Sequence, residues 1–243
     1  MPSFTDTLTV NGESMEMYAS VPSGSGPHPA VVIAFHVGGV DEFDRVMADR
    51  LAEEGYVAVV PDLFHRLSRE VLDGPRLGRL DHLSDPDIIA DMNAAVDFLK
   101  AQPSVDSERI GVTGFCMGGR VAWLMAATNP VFKAVVPFYG GNIMTPWGAA
   151  DKSPFDLSAG INCPMLFHFG ATDGNPSPDD QVKLDAELNR LGKPHEFYSY
   201  PGAGHAFMDF TNPDRYHQEA AEAAWPRTLE FFAKHLKTAA VRR

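Results

Sequence analysis

The sequence predicts an α/β protein in which a mainly parallel sheet carries helices on both faces. From about residue 30 onward, short runs of β-branched residues alternate with longer amphipathic stretches, a pattern typical of parallel strands joined by helices. The 243 residues, 44% of them hydrophobic, are enough for one large α/β domain with a full core. We therefore expect a single domain over residues 1–243, without an internal repeat or a linker.

Each expected element follows from a local signal. A leading hairpin is expected around Asn11-Gly12, the dipeptide that favours a two-residue turn. Strands are predicted at Phe4–Val10, Met15–Val21, Ala30–Phe35, Tyr56–Val60, Ile110–Thr113, Ala134–Phe138, Met165–Phe169 and Glu196–Tyr200. Amphipathic helices are predicted at Asp44–Glu54, Asp87–Ala101, Met117–Ala127, Asp179–Leu191 and Asp214–Leu236. Two long connections interrupt this alternation, Leu63–Leu83 and Gly140–Ile161, and such connections are often functional. The first could form a small cap.

Charge and composition disfavour several classes of function. The net charge of −12 opposes a long-range attraction to nucleic acid or to anionic lipid. The longest apolar runs are far shorter than a membrane span. Two cysteines cannot form a disulfide framework, and the N-terminus MPSFTDTLTV lacks the basic and apolar regions of a signal peptide. These features favour a cytoplasmic location and a small-molecule partner.

The most informative segment is Gly111–Gly119, GVTGFCMGG, which directly follows an apolar run. A nucleophile elbow needs this arrangement, because Gly114 and Gly118 allow a sharp strand-to-helix turn without a Cβ clash. Cys116 occupies the nucleophile position, where the positive end of a helix favours the thiolate. The alternative is a buried cysteine in a glycine-rich turn. Cys163, beside Pro164, is interpreted as an inert, packed thiol.

An acid and a base are expected to follow the nucleophile in chain order. Asp173 lies in GATDG, just after an apolar strand, and His205 lies in the glycine-rich loop PGAGHAF. Backbone donors for an oxyanion are expected at Met117 and at Val37 or Gly38, which follow the third predicted strand. A flexible turn is the alternative for the second of these sites. We expect no metal site, because the histidines and cysteines form no His-Glu-x-x-His or Cys-x-x-Cys pair.

Taken together, these motifs resemble the dienelactone hydrolase family of α/β-hydrolases. The resemblance spans nearly the whole chain, and its segments are HVGGV, LAEEGYVAVVPDLF, GFCMGG, FYGG, GATDG, PGAGHAF and WPRTLEFFAKHL. It implies an α/β-hydrolase fold and the roles of nucleophile, acid and base for Cys116, Asp173 and His205. It also implies that no cofactor is needed.

Two positions depart from the family pattern. Val37 stands where well-known members have a glutamate that engages the resting thiol, which points to a different activation of the thiol. Those members also bind a substrate carboxylate through arginines, one of them shortly after the catalytic histidine, where this chain has Ala206 to Asp209. Apolar surface for substrate is expected instead from Phe207, Met208 and Trp147. The arginines of Leu63–Leu83 either contribute to binding or form a solvated basic face; they are Arg66, Arg69, Arg76 and Arg79.

The sequence therefore predicts a hydrolase that cleaves a small ester or lactone through an acyl-thioester on Cys116. One alternative is a non-hydrolytic sensor or ligand-binding protein on the same fold, since a fold does not determine function. Another is a cysteine peptidase or a thiol-redox protein. The redox version is disfavoured because no second cysteine lies near Cys116 in the sequence.

Overall fold

The computed structural model describes residues 2–237 and contains one eight-stranded sheet. Its strands are β1 Ser3–Val10, β2 Glu13–Ser20, β3 His28–Ala34, β4 Val57–Pro61, β5 Val105–Phe115, β6 Phe132–Phe138, β7 Met165–Gly170 and β8 His195–Tyr200. Their order in the sheet is β1-β2-β4-β3-β5-β6-β7-β8. From β4 to β8 all neighbours are parallel, whereas β1 and β2 pair antiparallel with each other and β2 pairs antiparallel with β4. The predicted fold class is confirmed.

Six α-helices connect or cover the strands. They are α1 Glu42–Glu53, α2 Arg69–Asp73, α3 Asp85–Ala101, α4 Met117–Thr128, α5 Pro178–Arg190 and α6 Gln218–Phe232. The last predicted helix begins later than expected, because the His217 side chain caps its first turn by accepting from the backbone N–H of Ala220. The connection Leu63–Leu83 is largely ordered into α2 and a 3₁₀ helix, Arg76–His82. No helix within residues 2–237 combines the length and the apolar content of a membrane span.

The local signals explain why these elements form where they do. Asn11 and Gly12 both adopt positive φ angles, 52° and 86°, as a two-residue hairpin turn between β1 and β2 requires. The central strand β4 is buried along its whole length, and β3 is buried after its first residue, which is why both appear as continuous apolar runs. Strand β5 starts five residues earlier than predicted. The apolar pattern missed this part because the residues between Val105 and Ile110 are polar and partly or fully exposed.

The sheet topology places one crevice at the carboxyl end of the central strands. The chain leaves β3 to form β4 on one side and later returns to form β5 on the other side of β3. At such a switch point the loops after the two strands separate and leave room for a ligand. The loops that follow β3 and β5 therefore meet at the same edge of the sheet, together with those after β6, β7 and β8.

A fully buried arginine connects two helices and a loop at this edge. Arg120, in α4, forms a two-pronged ion pair with Asp85 at the start of α3, with N–O distances of 2.5 and 2.9 Å. Its guanidinium also donates to the carbonyl oxygens of Asn142 and Thr145 and stacks 3.7 Å from the ring centre of Trp147. One side chain therefore holds two helices and the loop after β6 in fixed positions.

Replacement of Asp85 by alanine is expected to lower the free energy of unfolding by about 3–5 kcal/mol, because it leaves a buried guanidinium without a counter-charge. The matched control is Asp87→Ala in the first turn of the same helix, where only a favourable helix-dipole contact of about 0.3–1 kcal/mol is lost. Urea denaturation of both variants measures the difference. Equal losses in the two variants would contradict the prediction.

Candidate active site

Cys116 lies at the tip of a strained turn between β5 and α4. It is the N-terminal cap residue of α4 and has φ 58° and ψ −120°, which is an unusual conformation for a residue with a side chain. Its backbone N–H donates to the carbonyl oxygen of Phe138 at 3.1 Å, which holds the turn against β6. The thiol is partly exposed at the first turn of a helix, as the sequence predicts.

The two glycines around Cys116 are required by close backbone contacts. A Cβ atom on Gly114 would lie 2.0 Å from the carbonyl oxygen of Gly118, and a Cβ atom on Gly118 would lie 1.9 Å from that of Ala34. Any side chain at either position would push α4 away from β3 and β5. The glycine pattern of the elbow is therefore a packing requirement, and it lets the start of α4 sit directly over the strand ends.

Asp173 and His205 meet at the adjacent edge of the sheet. Asp173 follows β7, is almost fully buried, and accepts a hydrogen bond from His205 Nδ1 at 2.8 Å. Its other carboxylate oxygen accepts the backbone N–H of Asn175 at 2.9 Å, which fixes the plane of the carboxylate. The carboxylate thus orients the imidazole through Nδ1 and leaves Nε2 for another partner.

The Cys116 thiol is a second partner of the His205 imidazole. Burial lowers the pKa of His205, but the hydrogen bonds to Asp173 and Cys116, and their negative charges, outweigh it and raise that pKa to about 10. The aromatic ring of Tyr139 packs edge-on against the imidazole with ring centres 5.3 Å apart. The fold thus brings together the three residues that the sequence predicts as nucleophile, acid and base.

The predicted oxyanion donors lie on two sides of the elbow. Met117 directly follows Cys116 and lines a cavity of about 70 Å³ beside the thiol. Val37 and Gly38 form a tight turn after β3, in which the N–H of Gly39 donates to the carbonyl oxygen of His36 at 3.0 Å. Gly38 has no room for a side chain, because a Cβ atom would lie 2.6 Å from His36 Nε2 and 2.6 Å from an Asp41 oxygen. Gly38 itself borders a neighbouring cavity.

The cavity beside the thiol has apolar walls on one side and amides on the other. Besides Cys116 and His205, its side-chain lining comes from Leu77, Leu80, Trp147, Asn142 and Asn175. The two asparagines bond to each other across the loops after β6 and β7, with Asn175 Nδ2 donating to Asn142 Oδ1 at 3.1 Å. The described lining residues include no arginine, lysine or carboxylate.

Of the three apolar residues expected at the pocket, the structure brings only Trp147 there. Phe207 is fully buried, with its ring against those of Tyr139 and Tyr200. Met208 lines a separate groove beside Trp225. The physical reason is the positive φ of Ala206, 63°, which turns the chain inward directly after His205. The apolar wall is provided instead by Leu77 and Leu80. They belong to the connection Leu63–Leu83, which is called the cap below.

Three of the four arginines of the Leu63–Leu83 connection have partners outside the cavity. Arg66 pairs with the buried Asp91 at 2.6 Å, Arg69 pairs with Asp73 at 3.2 Å, and Arg79 donates to backbone carbonyl oxygens. Asp209, near the position where the family pattern has an arginine, bonds to the hydroxyl and the N–H of Thr211. These three arginines are therefore engaged elsewhere, and the exposed Arg76 is not among the residues that line the cavity.

Several residues of the site are absent from the sequence-based prediction. Arg120 had a visible signal, since it is a lone charge directly before the apolar segment VAWLMAA. Leu77, Leu80 and Asn142 had only the general signal of the two long connections, and Asn175 had none, because these residues lie far from Cys116 in sequence and reach it only through the fold.

Within residues 2–237, one group of side chains could supply three metal ligands. His36 Nε2 lies 2.7 Å from Asp41 Oδ2 and 3.5 Å from Asp44 Oδ2. Burial, followed by the negative charges of Asp41, Asp209 and Cys116, raises the pKa of Asp44 well above its ordinary value. A proton on Asp44 then relieves the buried negative charge, and Asp41 is already engaged as the cap of α1. We assign no metal to this group.

The fold and the elbow define the class: the molecule is an α/β-hydrolase. Residues 15–236 match the dienelactone hydrolase family. The crystal structure of a candidate dienelactone hydrolase from Klebsiella pneumoniae superposes with a TM-score of 0.86 at 33% identity, covering 96% of this chain and 100% of that one.

Curated relatives agree with this match. A candidate carboxymethylenebutenolidase of Escherichia coli strain K12 is 35% identical over 235 residues, which are 94% of this chain and 86% of that protein. A Bradyrhizobium protein named as a probable 2-oxo-3-(5-oxofuran-2-ylidene)propanoate lactonase is 32% identical over 236 residues, 94% of this chain and 93% of that protein. The chain therefore belongs to the dienelactone hydrolase family and is a hydrolase of ester or lactone bonds.

His205 is expected to keep its proton well above neutral pH, with a pKa of about 10 in the folded protein. Because the folded value lies above the ordinary 6.5, the imidazolium stabilises the fold below pH 6.5, and this contribution is lost as the pH rises to about 10. NMR titration of ¹⁵N-labelled histidine, with His205→Gln for assignment, measures this pKa. Asp173→Asn should lower it, since the variant removes the charge and acceptor that favour the imidazolium.

His168 is the internal control for this titration. Unlike the partly exposed His205, it is fully buried; its ring nitrogens bond to the hydroxyls of Tyr200 and Thr228, and burial together with the charge of Arg227 lowers its pKa to about 3. It should stay neutral from pH 5 to 10 while His205 is protonated. A His205 resonance that titrates near 6.5 in the parent protein would show that the ion pair with Asp173 is not formed.

Proposed function

We propose that the protein hydrolyses small, uncharged esters or lactones through an acyl-thioester intermediate on Cys116. The observation that carries this proposal is the position of the thiol: it lies at the tip of the elbow, in contact with an imidazole that a buried carboxylate holds through Nδ1. A nucleophile, a base and an orienting acid in this arrangement are the requirements of acyl transfer.

In the first step the sulfur attacks the carbonyl carbon of the ester. The raised pKa of His205 places an imidazolium beside the sulfur of Cys116 before the substrate binds. The carbonyl oxygen gains the negative charge of the tetrahedral intermediate. The N–H of Met117 and an N–H of the turn at Val37 and Gly38 are the proposed donors to this oxygen.

The intermediate then collapses and releases the alcohol. The C–O bond of the ester breaks, His205 donates its proton to the leaving oxygen, and the acyl group remains on sulfur as a thioester. In the second half, neutral His205 takes a proton from water, and the hydroxide attacks the thioester. The C–S bond breaks, the carboxylic acid leaves, and the thiolate and imidazolium are restored. Asp173 remains ionised throughout and orients the imidazole.

The lining of the cavity supports an uncharged substrate. Its volume of about 70 Å³ fits a small acyl group, and Leu77, Leu80 and Trp147 offer apolar contacts. A fixed cation would be needed to select a carboxylate-bearing lactone, since a contact of this kind contributes about 1.5–3 kcal/mol. Apart from the His205 imidazolium, which the proposed reaction uses as acid and base, the described residues that line the cavity provide no cation.

Iodoacetamide at neutral pH is expected to inactivate the protein by alkylating Cys116 well before Cys163. Burial raises the pKa of the Cys163 thiol to about 12, whereas Cys116 is partly exposed beside an imidazole. Peptide mapping by mass spectrometry gives both rates, and Cys163→Ala serves as the matched control that should remain active. With p-nitrophenyl acetate in place of iodoacetamide, intact mass spectrometry should detect one acetyl group on Cys116. Turnover that survives a blocked Cys116 would remove the assignment of the nucleophile.

Short neutral esters, such as aryl acetates, should be hydrolysed with a kcat/KM at least equal to that of dienelactone. A missing arginine contact costs a carboxylate-bearing substrate about tenfold to a hundredfold. Both substrates are compared at one pH and one salt concentration. Arg69→Ala and Arg76→Ala, which each remove an exposed cation from the cap, should leave both values unchanged. A clear preference for dienelactone that Arg69→Ala or Arg76→Ala abolishes would show that the cap supplies a carboxylate clamp.

A further inference from the structure

The turn after β3 is held from outside the sheet by a single guanidinium. Within the turn, only the N–H of Gly39 bonds back, to the carbonyl oxygen of His36. The two central carbonyl oxygens, those of Val37 and Gly38, accept hydrogen bonds from Arg79 Nη1 at 2.9 and 3.3 Å. Arg79 thereby supplies the partner that the exposed side of this turn needs.

Arg79 is itself fixed on the cap. It belongs to the 3₁₀ helix Arg76–His82, its Nη2 donates to the carbonyl oxygen of Leu72, and its guanidinium lies 5.6 Å from the ring centre of Phe64. These contacts use the planar fork of an arginine, and a lysine ammonium could not reproduce them. The same helix carries Leu77 and Leu80, which line the cavity.

The contacts of Arg79 determine where the neighbouring N–H groups point. In a trans peptide the N–H is directed opposite to the preceding C=O, so a fixed carbonyl of Val37 fixes the N–H of Gly38 on the far side of the peptide plane. In the part of the chain that the structure describes, the N–H groups of Val37 and Gly38 have no acceptor. They are the donors of this turn that remain available to a ligand.

We propose that Arg79 is a positioning residue for hydrolysis: it holds the turn at Val37 and Gly38 so that the backbone N–H groups are oriented toward the oxyanion before the reaction begins. This inference rests on the proposed function. It assigns Arg79 a role in the chemical step and separates it from substrate binding, because its guanidinium is committed to backbone oxygens.

The kinetic test compares Arg79→Ala and Arg79→Lys with Arg76→Ala, an exposed residue of the same 3₁₀ helix. With p-nitrophenyl acetate, Arg79→Ala should lower kcat about tenfold to a hundredfold and leave KM within about twofold, because the lost interaction forms in the transition state. Arg79→Lys should recover only part of kcat, and Arg76→Ala should match the parent. The rate of Cys116 alkylation by iodoacetamide should be unchanged in all three, since that displacement builds no oxyanion.

Three outcomes would overturn the proposal. An unchanged kcat in Arg79→Ala would show that the hydrogen bonds from Arg79 are not needed to orient the turn. A loss that is confined to KM and to substrates with a carboxylate would show that Arg79 binds the substrate directly. A fall in kcat that is accompanied by falls in alkylation rate and thermal stability would reveal a general structural defect. The hydrogen bonds from Arg79 would then have no specific catalytic role.

A measurement without turnover keeps this proposal separate from the proposed function. Hydrogen–deuterium exchange of peptides that cover residues 36–41 should be faster in Arg79→Ala than in the parent and unchanged in Arg76→Ala. Unchanged exchange in Arg79→Ala would show that Arg79 does not hold the turn, whatever the activity of the variant. If the parent hydrolyses no ester or lactone although exchange is faster in Arg79→Ala, the structural role of Arg79 in holding the turn is supported and the proposed function fails.

Discussion

The pairing of Arg120 with Asp85 is the contact on which the active edge of the sheet depends. Arg120 is four residues after Cys116 in α4, and its donors are satisfied by a carboxylate on α3 and by two carbonyl oxygens of the loop after β6. A buried guanidinium tolerates no empty donor position, so this loop cannot move without a large energetic cost. Since the loop carries Asn142 and Trp147, Arg120 fixes both the cavity wall and the helix that begins after Cys116.

Backbone strain is concentrated at the same edge. Of the five non-glycine residues with positive φ in residues 2–237, four lie on the loops after β5, β6 and β8: Cys116, Tyr139, Asn142 and Ala206. Such conformations cost about 1–3 kcal/mol each and persist only where surrounding contacts determine them. Here those contacts are the close helix–strand packing at Gly114 and Gly118 and the Arg120 anchor. The stability of the core thus maintains a geometry that the loops would not adopt alone.

The sequence predicted the strands well and identified three candidate site residues that the fold brings together, because both depend on local patterns. Buried parallel strands appear as apolar runs, and Cys116, Asp173 and His205 each follow such a run with glycines nearby. The substrate pocket could not be predicted in the same way. Proximity to His205 in sequence does not determine the direction of Phe207 and Met208, which a single positive φ turns into the core. Leu77 and Leu80 reach the thiol only through tertiary packing.

The cap between β4 and α3 contributes surface to the cavity but none of the residues assigned to bond making or bond breaking. Leu77 and Leu80 of the cap line the cavity, and Arg79 of the cap bonds to the turn after β3. On the proposed function, substitutions in this segment would change the shape of the cavity, and with it the preferred acyl group, while Cys116, Asp173 and His205 stay the same. Substrate range would then differ among relatives through a stretch of about twenty residues that lies outside the sheet.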